Sequence, residues 1–269
     1  MSNIRTRLAG DNTGRRFTGK PQRDPASLRH LAPDHRAIVG ERTLFPKSVV
    51  SALESQRLLI SGANSVKLGK QVQKGEWAGY PIFQLSLEER ASCPPTCNNR
   101  LSCYGNAMPF ARRHKHDEHL LPVLFMELAE LQRLYPKGFV VRLHVLGDFF
   151  SRDYTNAWLD FLNHFPALHI FGYTAWPRNS PIGRLIEDVT ERRWDRIAIR
   201  FSSDNSEPQG ATTIWRKPEA ATVAEGIVCP AQTDATACCA TCGMCWAAGA
   251  KDKTIVFVGH GGIGLGRAA

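Results

Sequence analysis

The segment Phe139-Val-Val-Arg-Leu-His-Val-Leu-Gly-Asp148 decides the fold. Its continuous apolar run, closed by a Gly-acid pair, predicts a strand over 139–146. Downstream, Tyr154, Trp158, Phe161, Leu162 and Phe165 recur at helical spacing, with Ser151 or Asp153 as the available cap. Upstream, Leu120, Leu121, Leu124, Leu128, Leu131 and Leu134 predict a helix over 119–135, in which Pro122 is tolerated in the first turn. The pattern continues with a strand over Leu168-His-Ile-Phe-Gly-Tyr-Thr174, a helix over 182–193 and a strand over Arg196-Ile-Ala-Ile-Arg-Phe-Ser202. Shorter strands are expected near Ile227-Val-Cys229 and Thr254-Ile-Val-Phe-Val258. A strand over 80–87 precedes the first helix, and before it 65–75 alternates like an exposed β-ribbon. Alternating strands and helices predict an α/β protein with a parallel sheet or barrel.

The whole chain fits a globular protein. Its 269 residues are 43% hydrophobic, enough for a substantial core. No run of eighteen apolar residues occurs, and the Arg- and Gly-rich first thirty residues lack the apolar centre of a signal peptide. A cytoplasmic protein without membrane contact is expected. Net charge is +9, and residues 1–47 hold ten basic against four acidic side chains. This predicts a basic N-terminal arm (1–47), either solvated or laid on nucleic-acid phosphates. A barrel-like domain (48–228) and a cysteine-rich segment with a last strand and Gly-rich tail (229–269) complete the organisation. Gly259-His-Gly-Gly-Ile-Gly264 matches a dinucleotide fingerprint, but no helix follows to receive a pyrophosphate, so it reads as tail.

Eight cysteines in such a chain require explanation. Cys93, Cys97 and Cys103 form one group; Cys229, Cys238, Cys239, Cys242 and Cys245 form another, with none between. Local clustering favours metal or iron–sulfur ligation over disulfides, because several sulfurs must converge on one centre. Three thiolates leave a four-cornered site one ligand short, as an open catalytic centre requires, or a structural zinc completed by His114, His116 or His119. In the second group Cys229, Cys239, Cys242 and Cys245 can close a four-thiolate site holding zinc or a second iron–sulfur cluster, with Cys238 or Cys239 left over. The informative residues follow strand ends, where parallel α/β proteins build their sites: the first cysteines, Gly147-Asp148, Tyr173, Thr174 and Trp176, Ser202 to Asn205, and Cys229.

The three-cysteine loop, with Tyr104 beside Cys103 and a later strand ending in Gly147-Asp148, resembles the radical S-adenosylmethionine superfamily. That resemblance implies a partial (βα) barrel, a [4Fe-4S] cluster on Cys93, Cys97 and Cys103, and bound S-adenosylmethionine. It also implies an external electron donor and a 5′-deoxyadenosyl radical that abstracts hydrogen from a substrate. Gly147 and Asp148 would bind the amino group of the cofactor, Ser202, Ser203, Asp204 and Asn205 its ribose or carboxylate, and Tyr104, Tyr173 or Trp176 would flank it. Two features depart from the superfamily: the spacing is C-x5-C before Cys103, and Leu146-Gly-Asp148 replaces Gly-Gly-Glu. More narrowly, Leu87-Glu-Glu-Arg-Ala-Ser-Cys-Pro-Pro-Thr-Cys97, Cys103-Tyr-Gly-Asn106, Val228-Cys-Pro-Ala-Gln-Thr233 and Cys242-Gly-Met-Cys-Trp246 resemble the phage gene product 88 family, over about 77–246. The expected function is an iron–sulfur enzyme of the radical type, possible substrates including a nucleotide or nucleic acid; the alternative is a zinc-stabilised nucleic-acid-binding protein.

Overall fold

A computed structural model describes residues 30–202, 209–214, 226–233 and 235–258. Ten strands occur among them: β1 (Val49–Val50), β2 (Ile60–Ser61), β3 (Ile82–Gln84), β4 (Arg113–His114), β5 (Phe139–Leu143), β6 (Leu168–Thr174), β7 (Ile197–Ser202), β8 (Gly210–Ile214), β9 (Gly226–Val228) and β10 (Thr254–Val258). The helices are α1 (Arg36–Val39), α2 (Leu120–Leu134), α3 (Arg152–His164), α4 (Pro181–Arg192) and α5 (Cys239–Cys242). Eight strands form one sheet in the order β2-β3-β5-β6-β7-β8-β10-β9, and β1 pairs with β4 separately. Within the large sheet every described pairing is parallel except β2 with β3. The sheet is open: among the described residues β2 and β9 are its edges, and no closed barrel forms.

The helices begin and end where local chemistry dictates. Ser151 Oγ accepts from Tyr154 N at 3.1 Å, so Ser151 caps α3 and Asp153 falls in its first turn. Ser180 caps α4, and Pro181 sits at the first helical position, where its missing N–H costs nothing. Strands β3, β5, β6 and β7 are consecutive neighbours, so right-handed crossovers place α2, α3 and α4 on one face. There Phe139, Val141, Leu143, Ile170, Ile197 and Ile199 meet the apolar stripes of the helices. The alternate residues Val140, Phe171 and Ala198 point to the helix-free face, where they pack with Leu68, Val72, Trp77, Cys238 and Trp246. Gly172 is required at the centre of β6: a Cβ there would lie 1.7 Å from Leu143 O.

The structure departs from the sequence reading in four places. Residues 65–75 form turns with one isolated bridge at Gln71, not a ribbon, because Leu68 and Val72 are buried and the backbone pairs with the second cysteine segment. Cys239 N donates to Lys67 O at 2.8 Å and Ala240 N to Leu68 O at 2.9 Å. Strand β8 carries no strong apolar signal, yet it is paired by β7 and β10. The C-terminal β10 lies between β8 and β9, so residues 229–258 belong to the same sheet as the segment before them. Within the expected basic arm, residues 30–47 dock on the body: Leu31, Ala37 and Thr43 are buried. Residues 1–29, Ser203, Asp204, Asn205 and the Gly-rich tail lie outside the described residues.

Candidate functional site

The first cysteine loop leaves β3 and is held by a buried polar frame. Glu89 and Arg113 are both buried and form a double ion pair, Nε to Oε2 at 2.6 Å and Nη2 to Oε1 at 3.0 Å. Arg113 also donates to the carbonyls of Gly105, Met108 and Ala111, tying down the chain that follows Cys103. Arg90, at φ +68°, donates to Arg100 O at 3.2 Å and to the Asn106 side chain. Glu88 accepts from Arg42 and from Thr43 N, and the Thr43 hydroxyl donates to Glu89 at 2.7 Å. Breaking such a buried charge pair on one side leaves the other uncompensated, so these residues are structural necessities of the loop. Glu88, Glu89 and Arg90 fall within the family-like segment Leu87–Cys97. Their burial could be suspected from a charged triplet placed directly between apolar β3 and the cysteines.

Cys93, Cys97 and Cys103 lie within electrostatic reach of one another. Burial pushes all three thiols up, Cys103 to about 11, and the Asp148 carboxylate adds to the effect at Cys93 and Cys97. Asp148 follows Gly147, whose φ of +83° and close approach to Ser92 Oγ and Leu87 Cβ leave no room for a side chain. Burial raises Asp148 to about 6 against the pull of its hydrogen bonds. Its Oδ1 accepts from Phe149 N at 2.8 Å and Thr174 Oγ1 at 2.9 Å, and its Oδ2 from Ala175 N at 2.7 Å. Asp148 therefore clasps the ends of β5 and β6 together. Tyr104 stands half-exposed at the rim. The histidines disperse: His114 is buried in β4, His116 rests on Phe150 at 4.8 Å, and His119 opens toward Glu118.

The second group occupies the helix-free face. Cys229, at the end of β9, and Cys239, Cys242 and Cys245 all line one small cavity, with Trp246 and Ile255 among its walls. Gly243, at φ +71°, turns the chain out of α5 so that Cys245 comes back to the same cavity. Cys238 does not line it; its sulfur lies in the apolar core over Gly69. Burial raises the thiols of Cys229, Cys239 and Cys242, the last to about 11, and Cys245 raises them further, while Lys67 opposes this at Cys229 and Cys239. Tyr173, expected beside the first loop, belongs to this site instead: its Oη lies 2.8 Å from Cys245 Sγ, and Phe257 meets its ring edge-on at 5.4 Å. Trp176 donates to Phe149 O at 2.6 Å and packs on the helix side. Ser202 ends β7, half-buried.

Two arginines inside apolar strands were not singled out from the sequence, although a lone charge in a buried strand is itself a signal. Arg200, fully buried in β7, donates to Cys245 O at 3.0 Å, Lys253 O at 2.8 Å and Ala250 O at 2.8 Å, so it anchors the second cysteine segment to the sheet. Arg142, in β5, lies between the two cysteine groups: its charge is felt by Asp148 and Tyr104 and also by Tyr173 and Cys239.

Thiols in a set of four are the donors that zinc or an iron–sulfur cluster takes, and a cation is what would lower the raised proton affinity of Cys229, Cys239 and Cys242. Among the described residues, no three His, Cys, Asp or Glu side chains stand in a geometry that could hold a metal ion, so ligation requires the thiols to turn inward from these rotamers. No described helix is long and apolar enough to cross a membrane.

Fold and site together define an open α/β protein, with helices on one face and two separate cysteine groups at its strand ends and on its other face. The sequence profile of the family described as Gene product 88 matches residues 56–248, and the chain belongs to that family. The match extends the motif resemblance upstream to β2 and across both cysteine groups. No curated protein and no solved structure matches the chain, so the radical S-adenosylmethionine resemblance gains nothing from these comparisons.

Proposed function

We propose that this protein is a metal–thiolate enzyme of the radical S-adenosylmethionine type, with a catalytic cluster on Cys93, Cys97 and Cys103 and a closed second centre on Cys229, Cys239, Cys242 and Cys245. The observation that carries the reading is the single cavity lined by all four cysteines of the second set while Cys238 is excluded from it. Helices on one face of consecutive parallel strands, as in a partial barrel, and a cysteine loop at a strand end support the first centre. When bound, a [4Fe-4S] cluster supplies one electron to S-adenosylmethionine and so a radical for hydrogen abstraction. The chain's own part is to hold and shield. Glu89 and Arg113 fix the three-cysteine loop, and Asp148 offers the remaining lone pairs of its carboxylate to an amino group. Arg200 locks the second cysteine segment. Gly147 lets the first loop approach the end of β5, and Tyr104, Ser202 and Asp204 are candidates for cofactor contacts.

The test is anaerobic purification followed by iron, sulfide and zinc analysis and an absorption spectrum. Iron and sulfide with charge-transfer bands, and 5′-deoxyadenosine on addition of S-adenosylmethionine and dithionite, are expected. Cys103→Ala should abolish the product. A colourless protein holding two zinc ions and no sulfide would establish the zinc-stabilised alternative and end the enzyme reading.

A further inference from the structure

Among the described residues, the guanidinium of Arg142 is engaged on one edge only. Arg142 stands at the fourth position of β5, beside Gln84 of β3 and Phe171 of β6, on the helix-free face. Its Nη1 donates to Leu143 O and, at 3.2 Å, to His144 O. The carbon of the guanidinium sits 4.7 Å from the centre of the Tyr173 ring and 5.5 Å from that of Phe171, which fixes its plane. Nε and Nη2 donate to no described group, and neither nitrogen is sealed from solvent. No described carboxylate lies within ion-pair distance of it. The acid whose charge it influences, Asp148, has its oxygens engaged by Phe149, Thr174 and Ala175.

The two buried arginines that stand on strands are used up. Arg113 is saturated by Glu89 and carbonyls, and Arg200 by three carbonyls. Arg142 alone of these strand-face cations keeps an open fork while half-buried among aromatic rings. A charge drawn out of water without a partner is costly, and the Nε and Nη2 edge of a guanidinium matches two oxygens of one carboxylate or phosphate. Lysine could not present that planar pair of donors.

We infer that Arg142 is an oxyanion-binding residue: its free edge receives the carboxylate or phosphate of a small-molecule ligand lodged between the two cysteine groups. The ligand's charged end lies over β5, and its remainder extends toward either the Asp148 side or the Tyr173 and Cys239 side. This inference does not depend on which metal, if any, the cysteines hold, because the recognising group is the guanidinium.

The experiment uses the full chain, purified without phosphate, in parallel chelated and metal-loaded samples. Thermal unfolding is followed against sodium phosphate, sodium acetate and sodium chloride at matched ionic strength. Phosphate or acetate should raise the melting temperature above the chloride control in a saturable manner, and the responding anion identifies a phosphorylated or a carboxylate ligand. Arg142→Gln should weaken the midpoint of that response at least tenfold. Arg142→Lys, which keeps the charge and loses the fork, should lose most of it too, and decides the matter if Arg142→Gln does not fold. No difference between either anion and chloride overturns the inference. So does an anion response unchanged in Arg142→Gln alongside reduced metal retention, which would make Arg142 a counter-charge for the thiolate centre.

Discussion

Replacing Arg200 with methionine tests whether the second cysteine segment is fastened to the sheet as the geometry requires. The guanidinium makes three hydrogen bonds to the carbonyls of Cys245, Ala250 and Lys253, at 2.8–3.0 Å, and its carbon lies 5.1 Å from the Trp194 ring centre. Charge-assisted bonds contribute about 1.5–3 kcal/mol each, so the gross loss is roughly 5–9 kcal/mol. Burial opposes this: desolvation already lowers the proton affinity of Arg200, and methionine restores apolar packing without that cost. A net destabilisation of about 3–4 kcal/mol follows, since three carbonyls lose their donors together. Denaturant unfolding measures it as a shift in midpoint at constant slope. The loss should also be local, so alkylation of Cys245 by iodoacetamide, followed by peptide mass spectrometry, should accelerate more than alkylation of Cys97. A stability change under about 1 kcal/mol, or equal acceleration at both cysteines, refutes the anchoring role.

Gly147→Ala meets Ser92 Oγ at 2.4 Å and Leu87 Cβ at 2.7 Å in a left-handed conformation, and should lose about 2–4 kcal/mol in denaturant unfolding, whereas a loss under 1 kcal/mol would mean the loop yields. His144 is buried and lowered to about 3, chiefly by desolvation and then by Arg142. The unfolded chain therefore binds a proton below pH 6.5 that the folded chain refuses, and stability falls as pH falls. From pH 7.5 to 5 the wild type should lose about 2 kcal/mol more than His144→Leu; parallel losses would discard the buried neutral histidine. Asp148, raised to about 6, acts in the opposite sense between pH 6 and its ordinary value of 3.8, in both proteins alike. Zinc titration of the chelated protein at pH 7 should release several protons per ion, because burial raises the thiols of Cys229, Cys239 and Cys242, and its apparent affinity should climb with pH; calorimetry in buffers of different ionisation heat detects this, and a pH-independent affinity would exclude thiol ligation. Cys238→Ala should cost about 1 kcal/mol through lost packing and leave bound metal unchanged, while Cys239→Ala should lower metal content; the reverse pattern would exchange their assignments.

The elements with one strong local signal were legible. Six leucines at helical spacing became α2, and the apolar run before Gly147 became β5 with Val141 and Leu143 under the helices. Boundaries shifted by a residue or two where caps intervened, as at Ser180 and Pro181. Strand β8 was not legible, because its stability comes from being paired on both sides and not from its own side chains. Residues 65–75 misled for the same reason: alternation describes a possible strand, but Leu68 and Val72 serve as anchors for the cysteine segment across more than 150 residues of chain.

By itself the sequence determined that strands and helices alternate and that the cysteines form two groups. Local spacing suffices for these, since periodicity and cysteine clustering are properties of neighbouring residues. Tertiary structure alone decided that the helices gather on one face, that Cys238 points into the core while Cys239 lines the cavity, and that Tyr173 serves the second group and not the first. It also turned two arginines, indistinguishable in Val141-Arg-Leu143 and Ile199-Arg-Phe201, into opposites: among the described residues Arg200 is saturated by carbonyls and Arg142 keeps an open edge. The difference lies in what the neighbouring strands and loops bring alongside each guanidinium, and chain separations of 45–53 residues for the partners of Arg200 put that beyond any local reading.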